Sequence, residues 1–298
     1  MEVFDLTFNW ALAAQLGVGG IILGTTYAVL GLSFGIIYST TEIFHFAHSV
    51  VYTATAFAAI VFLNTLHLPW MIAIFLAIVT ATIIGMAIER FGYKPMRKSN
   101  GPKMVIFIVS LGLATLAPNI FQIIFGVNNQ TFSAYSPIPI SWGPINITSL
   151  DIISVIVCWL AIGAVLYILS HTKKGLAIKA VRANPQMARA VGISSDRIYL
   201  LVFGIGSFLI SIPACLFLLN GVAYPTMGLN PVMYGLIAVF VGGVGSMFGS
   251  VLGGFLLGMI TSLSAMWLSS DLQGVFVFAL LFIFVIARPQ GLLGKAIR

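Results

Sequence analysis

Glu42, His45, His48 and Ser49 are the residues of this chain whose types and spacing come closest to a chemical site. They follow a Ser-Thr-Thr break and open an apolar run, so their ionisable groups stand near membrane depth, where such groups are costly and point to function. Positions i, i+3 and i+6 drift around a helix, and the three share only a broad face. A metal centre would need tighter convergence and more ligands. A hydrogen-bonded role at a break between helices, and the lining of a solute path together with Phe46, both stay open. Glu42 also fits the membrane interface, where its charge costs little.

Other signatures fail on context. Gly31-Leu32-Ser33-Phe34-Gly35 has the spacing of a nucleophile elbow, but that motif needs a strand–turn–helix setting, and here it lies inside an apolar helix. No phosphate-binding Gly-x4-Gly-Lys-Ser/Thr occurs, so the chain has no P-loop of its own. Gly243-Val244-Gly245 lacks the downstream glycine and βαβ setting of a dinucleotide fingerprint. Cys158 and Cys215 both fall in apolar runs, where a thiol packs as a small hydrophobe.

The elements that must position these residues are membrane helices. Of the 298 residues 60% are hydrophobic and 7% charged, and mean hydropathy is +1.09. Several apolar runs approach the ~20 residues a crossing requires, without the alternation of barrel strands. The expected fold is all-α: a polytopic bundle of about eight or nine membrane segments, forming a single domain over 1–298. Segments are expected near 10–38, 43–63, 70–91, 104–125, 151–170 and 198–219, with a long piece at 231–268 broken near Gly242–Gly249 and a last helix near 272–287. Gly20/Gly24 and Gly31/Gly35, four apart, suit close backbone approach in lipid.

Charge gives the orientation. Five basic residues lie between Arg90 and Lys103, six between Lys173 and Arg197 and three between Arg288 and Arg298, and these are all 14 in the chain. By the positive-inside rule these segments face the cytoplasm, so the C-terminus is expected inside. The first ten residues carry Glu2 and Asp5 but no basic residue, which suits an uncleaved, outward-facing N-terminus. The net charge of +7 therefore reflects topology and calls for no nucleic-acid partner.

The stretch from His171 to Arg197 is the longest polar, basic interval. Asn184 before Pro185 reads as an N-cap with proline at the first helical position, and Gly192 as a left-handed stop. The expected object is a short surface helix that presents Ala183, Ala188 and Ala190 outward. An ordinary charged loop that fixes topology is the plain alternative.

Five motifs in order give the chain its resemblance. They are His45-Phe46-Ala47-His48-Ser49; Glu89-Arg90 with Tyr93-Lys94-Pro95-Met96-Arg97; Pro225-Thr226-Met227-Gly228; the glycine-rich run 242–254; and Arg288-Pro289-Gln290-Gly291-Leu292-Leu293-Gly294. Together they make the chain resemble, over nearly its whole length, the LivH-type permease of branched-chain amino acid ABC importers. His45 and Ser49 depart from that family's usual Asn and Gly, and Glu42 from its usual apolar or small residue.

The resemblance implies a non-enzymatic permease of a bacterial or archaeal plasma (inner) membrane. It implies a second homologous permease, two cytoplasmic ATPase subunits that hold the ATP, and a periplasmic substrate-binding protein, with no cofactor on this chain itself. It also implies that Gly175, Ala183, Asn184, Pro185, Ala188 and Gly192 belong to a loop docking into the ATPase. Glu42, His45, Phe46, His48, Ser49, Gly243 and Gly245 are the candidates for the solute path. Urea or a short amide is the alternative cargo. A stand-alone secondary transporter or channel is the alternative of a different class, and only Glu42, His45 and His48 offer it a proton carrier.

Overall fold

The computed structural model describes residues 10–99, 101–131, 135–288 and 290–294, with the side chains of Ser270 and Asp271 excepted. Glu2, Asp5, Pro289 and residues 295–298 lie outside the described part. The chain is a helical bundle. Among the described residues, seven helices are long and apolar enough to cross a membrane, and two shorter apolar helices accompany them.

The central element is α1 (Trp10–Thr41), which ends where Glu42 adopts a positive φ of 55° and donates its amide to the Tyr38 carbonyl. After a short irregular stretch come α2 (His48–Ile60), which runs on through a π-helical turn at Val61–Thr65, and α3 (Trp70–Ala87). A π-helical segment, Ile88–Tyr93, leads directly into α4 (Lys94–Lys98), and α5 (Lys103–Phe125) then returns.

The proline-containing interval after α5 forms short strands. β1 (Gln130–Thr131) pairs with the later β4 (Val222–Ala223), and β2 (Pro139–Trp142) forms a hairpin with β3 (Ile145–Thr148). This hairpin leads into α6 (Ser149–His171), whose N-cap Thr148 and Asp151 form a reciprocal capping box. The basic interval folds as two short helices rather than one, α7 (Lys173–Ala183) and α8 (Pro185–Ala190). Then follow α9 (Ser195–Leu219), α10 (Leu229–Gly242), α11 (Met247–Ser264) and α12 (Ser270–Ala287).

Small residues set the packing. A Cβ on Gly31 would stand 2.5 Å from the Ser250 carbonyl oxygen, and one on Gly24 would stand 2.6 Å from that of Phe255. On the facing helix, side chains at Gly254 and Gly258 would run into the backbone of Tyr27 and Gly24. α1 and α11 thus touch backbone to backbone, as helices in lipid must when no hydrophobic force drives them together.

α3 uses the same device against α9. It buries only Ala73, Ala77, Ala81 and Gly85, one residue every fourth position, and Ser207 of α9 fills the space left by Gly85. The other faces of α3, and the outer faces of α5, α6 and α12, expose large apolar side chains such as Phe75, Ile123, Leu160 and Ile286. Two buried clusters result. One centres on Phe34, Tyr52 and Leu257, the other on Leu32, Phe203 and Ile178.

Overpacking this seam is expected to cost about 1–3 kcal/mol. Gly31→Leu should lower the thermal unfolding midpoint of the detergent-purified protein accordingly. Gly112→Leu, at a site with nothing within 4 Å of the added Cβ, should leave the midpoint unchanged.

Candidate functional site

The polar cluster sits where α1 ends and α2 begins again inside the bundle. Chain direction reverses over Glu42–Ala47, and backbone amides freed by the reversal need partners in a place without water. The Ala47 amide donates to Ser110 Oγ of α5 at 2.9 Å. The His48, Ser49 and Val50 amides each bond the carbonyl three residues back. α2 therefore starts at depth with its first amides satisfied.

His45 and His48 are both fully buried, with ring centroids 5.1 Å apart. Ser33 Oγ donates to the Gly206 carbonyl at 2.8 Å, which uses its one proton. It therefore accepts from His48 Nε2–H at 2.6 Å, leaving His48 Nδ1 without a partner among the described residues. His45 Nδ1 lies 2.8 Å from the Tyr93 hydroxyl, while its Nε2 has no partner among the described residues. The edge of Phe203 closes the site against both His45 and Tyr93.

The two imidazoles thus join α1, α2, α9 and the π-helical segment at 88–93. Among the described residues no three His, Cys, Asp or Glu side chains gather as a metal ion would require. Sequence reasoning missed Ser33, Tyr93, Ser110 and Gly206. Ser33 lies inside the glycine motif set aside as a false nucleophile elbow, and a serine in the middle of an apolar helix was the available signal.

Glu42 stands apart from the histidines. It is exposed and ion-paired with Lys103, at the end of the molecule that carries the basic clusters. Phe46 is half-buried, edge-on to Phe107 of α5 at 5.8 Å. Ser49 is buried and donates to the Phe46 carbonyl at 2.9 Å.

Gly243 and Gly245 also lie at the basic end, away from the histidines. Both have positive φ in the tight turn between α10 and α11. The Leu292 and Leu293 amides bond the Val241 and Gly242 carbonyls just before that turn, and Arg182 of α7 donates to the Gly245 carbonyl. Their role in the fold is a turn covered by the tail and by α7.

The basic end is organised around Glu89, which is 1% exposed and held by both terminal nitrogens of Arg97. The Arg97 guanidinium also lies over the Tyr199 ring at 4.4 Å, and Lys94 pairs with Asp196 at 3.2 Å. α4 is thereby fastened to the start of α9. Between these groups and α8 opens a cavity of about 890 Å³, bordered by Glu42, Lys103, Arg182 and Arg189.

The helix pair α7–α8 closes this end. Asn184 Oδ1 accepts from the Gln186 and Met187 amides, both at 2.9 Å, and Gly192 has φ 84°. The N-cap, the proline at the first position and the glycine stop all stand where the sequence predicts them.

The outward face differs from expectation. Ala188 is buried, with the Ile193 amide bonded to its carbonyl, so it is not presented to a partner, and a bulky charge there would break the corner's packing. Gly175 is buried at the α6–α7 corner, where any side chain would strike the Ile168 and Leu169 carbonyls. Ala183 and Ala190 are exposed as expected, beside Leu176, Met187 and Val191.

Glu89→Ala leaves Arg97 unpaired in a largely buried setting and should cost about 3–5 kcal/mol. Lys103→Ala, which breaks the exposed pair with Glu42, should cost about 0–1 kcal/mol. Unfolding of the two purified variants checks the difference.

Comparison with known proteins supplies the context. Residues 17–285 match the family model described as "Branched-chain amino acid transport system / permease component". The high-affinity branched-chain amino acid transport system permease proteins LivH of Salmonella typhimurium and of Escherichia coli (strain K12) are each 29% identical to the chain, over 93% of it and 94% of their own length. BraD of Pseudomonas aeruginosa, named in the same way, is 28% identical with the same coverage. No solved structure matches. The chain belongs to the branched-chain amino acid transport system permease family.

Proposed function

We propose that this protein is the membrane-spanning permease subunit of an ATP-binding-cassette importer for branched-chain, neutral hydrophobic amino acids. It moves cargo delivered by an external binding protein and works beside a second, homologous permease and two cytoplasmic ATPase subunits. The chain itself neither hydrolyses ATP nor holds a cofactor. It is a multi-pass inner-membrane protein, with its basic end in the cytoplasm by the positive-inside rule.

The observation that carries this reading is the α7–α8 pair. Ile178, Val181 and Ala188 bury one face of it against the bundle, while Leu176, Met187 and Val191 expose an apolar face. A stand-alone transporter has no use for a rigid, capped, apolar-faced elbow on its cytoplasmic surface. An ATPase that closes on ATP has one, because displacement of a rigid elbow biases the packing of the helices attached to it. Leu176, Met187 and Val191 are assigned to the ATPase contact with Ala183 and Asn184, whereas Gly175, Pro185, Ala188 and Gly192 shape the elbow.

Replacing Met187 by Glu places a charge in the apolar contact without disturbing the buried face. In proteoliposomes containing the complete importer, Met187→Glu should reduce ATP-driven leucine uptake by about tenfold or more, as expected when an apolar anchor of an interface is lost. Membrane insertion and thermal stability should stay unchanged. Uptake at the unmodified rate would refute the assignment.

A further inference from the structure

The first turns of α2 and α10 meet. α2 starts at His48 and runs away from the basic end, and α10 starts at Leu229 and runs toward it. Gly228, just before α10, lies on the first turn of α2. A side chain there would strike the Ser49 carbonyl and would stand 2.7 Å from Thr53 Oγ1.

The meeting point is deep. From Leu229 to the Gly242 turn is about 21 Å, and from the start of α5 to Pro118, which lines the same space, about 22 Å. Both lengths end within the ~30 Å of bilayer hydrocarbon. The two N-termini bring two positive dipole ends together, and the side chains that line the junction carry no charge.

Thr53 supplies the independent sign of a ligand. It is 3% exposed, it lines the crevice, and its hydroxyl makes no hydrogen bond among the described residues. Thr25, Thr40, Thr55 and Thr261 each turn their hydroxyl back to the carbonyl four residues earlier. Thr53 instead directs its oxygen to the start of α10, beside Gly228, where it is free to meet a ligand.

The other walls are Val50, Phe121 and Leu229, which are apolar, and Pro118, which deprives the Ala114 carbonyl of its helical amide one turn away. The crevice is closed in this conformation, with no room even for a water molecule. Pro118 gives α5 a natural place to bend and widen it.

We propose that this crevice is the mid-membrane station of the transported amino acid. The substrate carboxylate lies between the N-termini of α2 and α10 and accepts from the Thr53 hydroxyl. Its ammonium group faces the α5 wall at Pro118, and its branched side chain packs on Val50, Phe121 and Leu229. This assignment rests on the importer reading above. It places the substrate on the uncharged side of α2's first turn, and the histidine pair then positions that turn without touching cargo.

The test uses the complete importer in proteoliposomes, with radiolabelled leucine on its binding protein. Thr53→Val keeps the side-chain shape and removes the hydroxyl. It should lower uptake about tenfold, the effect of losing one hydrogen bond to a charged group, while ATPase activity stimulated by loaded binding protein stays at the unmodified level. Thr53→Ser should restore most of the uptake.

Unmodified uptake in Thr53→Val would overturn the station and leave the importer reading intact. Parallel loss of uptake and stimulated ATPase activity would also overturn it, since the residue would then serve packing or coupling. Absence of ATP-driven leucine uptake by the unmodified complex would refute the importer reading and this inference with it.

Discussion

Backbone contact between α1 and α11 governs the rest of this architecture. Lipid tails are as apolar as leucine, so burial alone gives these helices little reason to associate. Close approach supplies the dispersion contacts instead, and it is possible only where Gly24, Gly31, Gly254 and Gly258 remove the side chains between the two axes. With α1 fixed to α11, its other faces receive α6, α9 and α10. Ser33 on that helix is then held at a constant depth, facing Gly206 of α9. The polar cluster at the break inherits its geometry from this apolar seam.

A second constraint acts at the break itself. Stopping one helix and starting another inside hydrocarbon leaves amides and carbonyls that water cannot reach. The chain meets this with short-range bonds in the first turn of α2 and with Ser110 from α5, and two separate side-chain bonds, Ser33–His48 and His45–Tyr93, brace the same turn. The second of these ends on Tyr93, four residues beyond the buried Glu89 that Arg97 neutralises. The π-helical geometry of residues 88–93 places Glu89 and Tyr93 on the buried side of that segment. The bundle interior and its basic end are thus connected through one continuous element.

Much of this was legible in the sequence, for identifiable reasons. Helix spans followed from apolar runs, and the α8 cap from Asn184-Pro185 with Gly192, because those signals are local. The break after α1 was visible from its polar residues. Partners across the bundle were not, because Ser33, Tyr93 and Gly206 carry no mark of facing a histidine until the glycine seam sets helix rotation. The inward turn of Ala188 was misread for a related reason: an alanine suits a buried corner and an exposed docking face equally well. The hairpin at 139–148 was not legible because Pro139 and Pro144 interrupt a strand pattern, yet Pro139 opens β2 and Pro144 sits in the turn. Gly243 and Gly245 looked like a helix interruption on a path, and only the tail folding back on Val241 and Gly242 reveals a covered turn.

These contacts also indicate how an external motor would reach the membrane interior. α7 holds the Gly245 carbonyl through Arg182, the C-terminal segment holds Val241 and Gly242, and α10 runs from that anchored turn up to Gly228. Between its two ends α10 has no proline after Pro231, and helices without such breaks transmit displacement as rods. If the elbow moves, its shift therefore arrives first at the N-terminus of α10, against Ser49 and Thr53. α5 faces that point with Pro118 in mid-helix and its outer surface unburied, so it is the wall freest to yield. On the importer reading proposed above, displacement of α10 against α5 would open or close the crevice at Thr53. The glycine seam between α1 and α11 supplies the stationary frame that such a movement requires.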